Sequence, residues 1–197
     1  MSATFDLQSA SARLSLNQAI WMIKAFGRTS YRGMYVRDEI QGKVLYVSDN
    51  CSFFYGGGRE EIMTRDVSFF EHSHTSKDRQ YYDEVQHSYN ELIRDWPVEE
   101  IEKTTLSMHL HIVSQRGMES LIHYQSTPLL VRSDGKILLT LCVLSLPNYK
   151  GQAHAMCYDS SHGRLYEYSL SQHHWVVVHQ PILTENEKDI YQPQRRI

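Results

Sequence analysis

The sequence predicts an α+β fold, in which a five-stranded antiparallel sheet carries helices on one face. Three observations predict it. Apolar residues change from a helical spacing to an alternating spacing at Gly33. A segment of short turns and one long helical pattern then separates the second predicted strand from the third. Three further alternating runs follow, and the last of them is apolar on both sides, which is typical of a strand inside a sheet.

An amphipathic helix is predicted before the sheet. Ser15 and Gln18 form a capping box. The apolar stripe that follows consists of Leu16, Ala19, Ile20, Ile23 and Phe26, with Gly27 at the predicted C-terminal cap. Trp21 lies on the opposite, polar side, and tryptophan is enriched at protein interfaces. We expect a dimer contact made by Leu16, Ile20, Trp21 and Ile23; a Trp21 covered by a neighbouring loop is the alternative.

The first predicted strands are GMYVRDEI and KVLYVS, joined by a turn at Gln41 and Gly42. Mixed polarity and a triple glycine then predict short helical turns. A longer helix begins at Thr75 or Ser76 and ends before Pro97. Its predicted core-facing stripe is Tyr81, Val85, Leu92 and Trp96.

Three strands follow in a meander, with turns at Arg116-Gly117 and Asp134-Gly135. In the first of them, alternation separates an apolar face from a polar face. The apolar residues are Leu106, Met108, Leu110 and Ile112, and the polar residues are Ser107, His109 and His111. The last strand, from Ile137 to Leu146, has apolar residues on both faces and is expected inside the sheet.

This order of elements resembles a PAS domain over residues 33–147. The matching pieces are Asn50, GGGREEI at Gly56 to Ile62, HSHTSKDR at His72 to Arg79, and RSDGK at Arg132 to Lys136. The resemblance implies a non-catalytic sensory module that binds a small molecule of unknown identity or a protein partner, and that forms a homodimer. The candidate pocket is lined by Tyr81, Val85, Leu92, Met108 and Leu110. A register shift of one residue would replace the two strand residues by His109 and His111.

Beyond Pro147, three alternating runs predict a second, smaller meander over residues 148–182. Thr184 and Glu187 then form a capping box, although Pro193 limits any helix to about two turns. LTENEKDI, at Leu183 to Ile190, resembles the start of the helix-turn-helix domain in LuxR-type transcriptional regulators. The predicted units are therefore an N-terminal helix (1–32), a sensor domain (33–147), the meander (148–182) and the start of a DNA-binding domain that is otherwise missing, or a linker (183–197).

Composition narrows the class of partner. The chain has 197 residues, of which 41% are hydrophobic and 22% charged, as in ordinary globular proteins. A net charge of -3 gives no basic surface for phosphates, so the chain alone is not expected to bind nucleic acid. Three cysteines without close spacing and the absence of a leader pattern predict a cytoplasmic protein. No apolar run reaches the roughly 20 residues of a spanning helix, so no membrane contact is predicted.

No catalytic residue, metal site or cofactor is predicted. Cys51 precedes the GGGREEI segment, whereas the reactive cysteine of flavin-binding light sensors in the PAS superfamily follows it, so no flavin is expected. His109 and His111 share one strand face, and imidazole is a common metal ligand. The alternative function is therefore a small metal-dependent enzyme that uses the histidines of this sheet face.

Overall fold

A computed structural model describes residues 10–30, 32–56, 58–147 and 155–179 of the chain. The capping box at Thr184 and the rest of the predicted unit 183–197 lie outside the described residues. In chain order the elements are α1 (Ala10–Ser30), β1 (Gly33–Asp38), β2 (Lys43–Val47), α2 (Cys51–Tyr55), α3 (Arg59–Met63), α4 (Val67–His72), α5 (Ser76–Ile93), α6 (Val98–Ile101), β3 (Thr104–Val113), β4 (Glu119–Val131), β5 (Ile137–Ser145), β6 (Ala155–Asp159), β7 (Arg164–Ser169) and β8 (His174–His179).

The strands form one antiparallel sheet in the order β2-β1-β5-β4-β3-β6-β7-β8. β5 lies between β1 and β4, which confirms the interior position that its two apolar faces predict. The turns that precede β2, β4 and β5 each contain a glycine with positive φ: Gly42, Gly117 and Gly135. The sequence therefore places the turns correctly, and the order β2-β1-β5-β4-β3 with helices between β2 and β3 is PAS-like.

The helices between β2 and β3 all lie on one side of the sheet, which we call the inner face. α5 begins as predicted, because the Thr75 hydroxyl accepts a hydrogen bond from the backbone N–H of Asp78 at 3.3 Å. Its buried stripe differs from the predicted one. The buried apolar residues of α5 are Tyr82, Val85, Tyr89 and Ile93, while Tyr81 and Leu92 flank them and Trp96 follows the helix. Two of these four residues are tyrosines. The Tyr82 hydroxyl forms a hydrogen bond with Arg37, and the Tyr89 hydroxyl forms one with Thr104.

The inner-face core contains large side chains from nearly every strand. Leu106, Met108, Leu110 and Ile112 of β3 are all fully buried in it, which confirms the predicted apolar face of that strand. Cys142 and Leu144 of β5 join the same cluster. Because α2 to α6 cover these residues from one side, the inner face holds the main core of the described part of the chain.

The opposite side of the sheet, which we call the outer face, carries α1. Ile23 packs there on Met34, Val36 and Tyr46. The helix continues past the predicted cap at Gly27 to Ser30, and Phe26 is exposed instead of buried. Gly27 is itself buried against β1 and β2, so its small size serves close packing at a point where the helix crosses the sheet.

The predicted C-terminal meander extends the main sheet. β6 pairs with β3 over Thr104 to Met108, and β7 and β8 follow outward. Their inner-face residues belong to the main core, and the Tyr168 hydroxyl donates to the Glu84 carboxylate of α5 at 2.7 Å. The meander is thus packed under α5.

The helices that the structure describes include none that combines the length and the apolar character of a membrane span.

Candidate ligand-binding cleft

A cleft of about 450 Å³ lies between α5 and the inner face of the sheet. Its walls come from the second half of α5, from β1, β4 and β5, and from the turn between β4 and β5. Charged side chains of both signs line it: Arg37, Arg94 and Lys136 are cationic, and Glu39 and Asp134 are acidic. A concave space of this size is in the range that small-molecule sites occupy.

Arg37 is the most deeply placed charged group of the cleft, with 7% of the residue exposed. Its Nε and Nη2 donate to the Glu39 carboxylate at 2.8 to 2.9 Å, and its Nη1 donates to the Tyr82 hydroxyl at 2.8 Å. A buried guanidinium must be paired to offset its lost hydration. Glu39 provides the opposite charge and keeps 23% of its own side chain exposed. The Arg37–Glu39 ion pair therefore lines the cleft, and Arg37 also contacts the buried Tyr82 hydroxyl.

Polar groups continue inward from Tyr82. Its ring meets Tyr124 edge to face at 5.8 Å, and the Tyr124 hydroxyl lies 3.3 Å from the sulfur of Cys142. Burial raises the pKa of both tyrosines and of the Cys142 thiol above their ordinary values. All three groups stay neutral near pH 7 and act through hydrogen bonding. A series of contacts thus leads from Arg37 through the two tyrosines to Cys142 of β5.

The five residues of the predicted pocket lie elsewhere on the inner face. Val85, Met108 and Leu110 are fully buried in the core, and Tyr81 and Leu92 pack at its edge. None of the five lines the 450 Å³ cleft, which uses other positions of the same helix. The structure brings them together as packing residues, and their role as a pocket lining stays a prediction.

The residues of the predicted dimer contact divide between two sides of α1. Ile23 is buried and Ile20 is partly buried on the outer face of this chain's own sheet, whereas Leu16 is half-buried. Trp21 is 75% exposed and Met22 73%. Of the predicted set, Trp21 is the large apolar side chain that remains available to a partner, and the predicted contact stays untested.

The three cysteines are free and buried. Burial raises the pKa of the Cys51 and Cys157 thiols to about 12. A thiolate is the nucleophilic form of cysteine, so these thiols are poorly suited to covalent chemistry at neutral pH. Cys51 instead donates a hydrogen bond to the carbonyl oxygen of Met34 at 3.3 Å and packs at the start of α2.

The histidines of the outer face lie on the neighbouring strands β3 and β4. The rings of His109 and His123 stack at 5.0 Å, and His111 contacts the Asp78 carboxylate at 3.1 Å. Within the described ranges, one group of three metal-ligating side chains converges, and it contains neither His109 nor His111. Among the described residues, the predicted alternative of a metal-dependent enzyme on this sheet face therefore has no group of three ligands that contains its histidines.

Sequence reasoning missed Arg37, Glu39 and Tyr82. The available signal was the charged sequence Arg37-Asp38-Glu39 at the end of an otherwise apolar strand. All six residues of β1 are buried, so a charged residue within it has to find a partner inside the protein. The partner on α5 is 45 residues away in sequence, and no local pattern identifies it.

No protein-family model matches the sequence, and a search of curated proteins finds no match. Several solved structures are similar to the chain, with TM-scores below 0.5. The chain is similar to the PAS domain of a protein from Colwellia psychrerythraea, with 12% identity and a TM-score of 0.48, over 69% of this chain and 99% of that one. A sensory box histidine kinase/response regulator from Burkholderia thailandensis gives 13% identity and a TM-score of 0.46, over 62% and 82%.

The N-terminal domain of a diguanylate cyclase with a PAS/PAC sensor from Marinobacter aquaeolei gives 9% identity and a TM-score of 0.43, over 58% of this chain and 93% of that one. The strand order and the position of the helices define the present chain as a protein with a PAS-like α+β fold.

Proposed function

We propose that this chain is a non-catalytic sensory module that binds a small molecule in the cleft between α5 and the inner face. The observation that carries the proposal is the position of Arg37. The same guanidinium lines the cleft and donates to Tyr82 inside the core. A ligand that contacts Arg37 would therefore contact a residue that also binds Tyr82 of α5.

The ligand would act by competing with Glu39. An acceptor group at Arg37 would replace the carboxylate that now holds the guanidinium at 2.8 Å. Glu39 follows the last residue of β1 and keeps 23% of its side chain exposed, so the carboxylate can turn from Arg37 toward solvent. Such a ligand acts only if its affinity differs between the two arrangements of Arg37 and Tyr82.

The lining predicts the chemistry of the ligand. Three cations and two carboxylates give the cleft a small excess of positive charge, and Gln86 and Asn90 of α5 add amide donors and acceptors. These groups favour a small, polar molecule with a carboxylate or phosphate group. The apolar part of such a molecule would contact Ile93 and Ile137.

A thermal-shift screen with small carboxylates and sugar phosphates tests this function. We expect at least one compound to stabilise the wild-type chain, and the shift to shrink in Lys136→Gln. Lys103→Gln is the matched control, because Lys103 is also exposed but does not line the cleft. Stabilisation by no compound, or the same stabilisation in both variants, contradicts the proposed site.

We further propose that the module works as a homodimer through α1. Trp21, Met22 and Phe26 expose large apolar surface on this helix while Ile23 anchors it to the sheet. Trp21→Gln should raise the dimer dissociation constant, measured by light scattering over a dilution series. A parent chain that is monomeric at high concentration would contradict this part of the proposal.

Control of a transcriptional effector is the last part of the proposal. It is supported by the resemblance of LTENEKDI to the start of a LuxR-type DNA-binding domain. The covalent route to such a domain passes through β6, β7 and β8, which are packed under α5. The chain alone should show no sequence-dependent shift of duplex DNA in a gel at physiological salt.

We place this module in the cytoplasm, where reduced thiols are the rule.

A further inference from the structure

A cluster of metal-ligating side chains that do not line the cleft lies where α6 meets the turn between β6 and β7. Glu100 belongs to α6, Asp159 ends β6, and His162 lies in the turn. The Nδ1 atom of His162 is 2.9 Å from Oδ2 of Asp159 and 3.7 Å from Oε2 of Glu100. One ligand atom from each residue lies within 4.8 Å of the other two.

Asp159 is the informative member, because its side chain is 1% exposed and is accompanied by a second carboxylate. Its other oxygen, Oδ1, accepts the backbone N–H of Ser161 at 2.9 Å. In the described part of the chain, no Lys or Arg side chain forms an ion pair with Asp159 or Glu100, and His162 is the shared contact. The Asp159 carboxylate is buried and the Glu100 side chain is 30% exposed, and two carboxylates this close repel each other unless a cation compensates them.

The backbone holds this arrangement before any ion arrives. The N–H and the hydroxyl of Ser160 both donate to the carbonyl oxygen of Lys103, at 3.1 and 2.9 Å. Asp159 is also paired with Thr104 in the β3–β6 ladder. The turn is therefore fixed against the segment that follows α6, and ligands from two distant parts of the chain, α6 and the β6–β7 turn, converge.

We propose that Glu100, Asp159 and His162 bind a divalent transition-metal ion, for which Zn²⁺ is the probe. Imidazole nitrogen together with carboxylate oxygen is a ligand set that zinc accepts, whereas magnesium and calcium prefer oxygen ligands alone. The ligand atoms lie within 4.8 Å of one another, which is close to the spacing around an ion with bonds of about 2 Å. Water would complete the coordination, and the ion would tie α6 to the β6–β7 turn.

Calorimetric titration of Zn²⁺ into the tag-free, chelator-treated full chain tests the site. We expect one Zn²⁺ per chain for the wild type. Loss of a ligand should weaken binding by at least about 100-fold, since loss of an outer-shell partner already costs 10–100-fold. His162→Gln and Glu100→Gln are the test variants, and both positions are partly exposed, so the fold should tolerate them.

His173→Gln is the matched control. His173 also contacts a carboxylate, that of Glu84 at 2.7 Å, but it is not part of the converging group. We expect this variant to bind Zn²⁺ as the wild type does, and far-ultraviolet circular dichroism to show the same fold for all variants. Absence of a one-to-one site in the wild type overturns the proposal. Undiminished affinity in His162→Gln, equal loss in His173→Gln, or equally tight Mg²⁺ or Ca²⁺ binding also overturns it.

Discussion

The two faces of the sheet differ in how completely they are covered. On the inner face, helices α2 to α6 enclose a continuous core in which Leu106, Met108 and Leu110 have no exposed surface. On the outer face, α1 covers a much smaller apolar cluster around Met34 and Val36. Alternate residues of β5 belong to the inner and the outer cluster, so one strand contributes to the packing on both faces of the sheet.

The same comparison separates the candidate functions. The Arg37 ion pair and its tyrosine neighbours lie on the inner face, where low water content strengthens electrostatic contacts. The outer face exposes Trp21 and Met22, which are suited to a partner surface. Ligand sensing and dimerisation are thus proposed on opposite sides of one sheet.

The largest effect should come from truncating leucines of β5 that face opposite sides of the sheet. Leu144→Ala on the inner face should lower the free energy of unfolding by about 3 kcal/mol, because a fully buried side chain leaves a cavity. Leu141→Ala on the outer face should cost about 1 kcal/mol, because that residue is only partly buried. Urea unfolding measures both. Equal losses would show that the two faces are equally well packed.

A second contrast concerns histidines and pH. His74 is buried with an unpaired Nδ1, and burial lowers its pKa to about 4, with Asp78 opposing and Arg79 adding to that shift. The unfolded chain binds a proton near pH 6.5 and the folded chain does not, so stability should fall as the pH drops from about 6.5 to 4. The loss attributable to His74 between these two pKa values is about 3 kcal/mol.

His74→Phe should reduce this pH dependence, since the ring packs beside Tyr82 without titrating. Burial also lowers the pKa of His123 on the outer face, with His109 and Arg32 adding to the shift, but that residue is only partly buried. His123→Phe should therefore change the slope less. Unfolding measured at several pH values checks this order, and a larger change for His123→Phe would reverse it.

The Arg37 pair provides the third test. Arg37→Met leaves the Tyr82 hydroxyl and the Glu39 carboxylate without their cationic donor, and should cost about 2 kcal/mol, a value reduced by the partial exposure of Glu39. Arg132→Met removes an exposed pair with Asp134 and should cause no measurable loss. Adding Glu39→Leu to Arg37→Met should recover part of the stability. If Glu39→Leu restores no stability, the Glu39 carboxylate does not destabilise the Arg37→Met variant.

The smallest effect is expected for Trp21→Gln. Three quarters of Trp21 is exposed, so the unfolding free energy of the monomer should change by less than about 0.5 kcal/mol. Thermal unfolding at low protein concentration checks this value. A large loss would place the indole in the fold of the monomer and remove it from the proposed interface.

The fold was largely predictable because its signals are local. Alternation, glycine turns and a threonine cap each act within a few residues, and they identified β1 to β5, the turns between them and the start of α5. The rotation of the α5 stripe was missed for a reason that is not local. Tyr82 and Tyr89 carry hydroxyls, and their partners Arg37 and Thr104 lie 45 and 15 residues away.

The sequence by itself determined the alternating faces, the interior position of β5 and the helical crossover, because these follow from side-chain periodicity and turn chemistry. Only the tertiary structure decided that the C-terminal meander joins the edge of β3, since edge pairing uses backbone groups that every residue carries. It also brought Glu100 to His162 and Arg37 to Tyr82. A buried charged or polar group needs a partner inside the protein. The number of residues between two such partners follows no regular spacing, so the sequence pattern does not identify them.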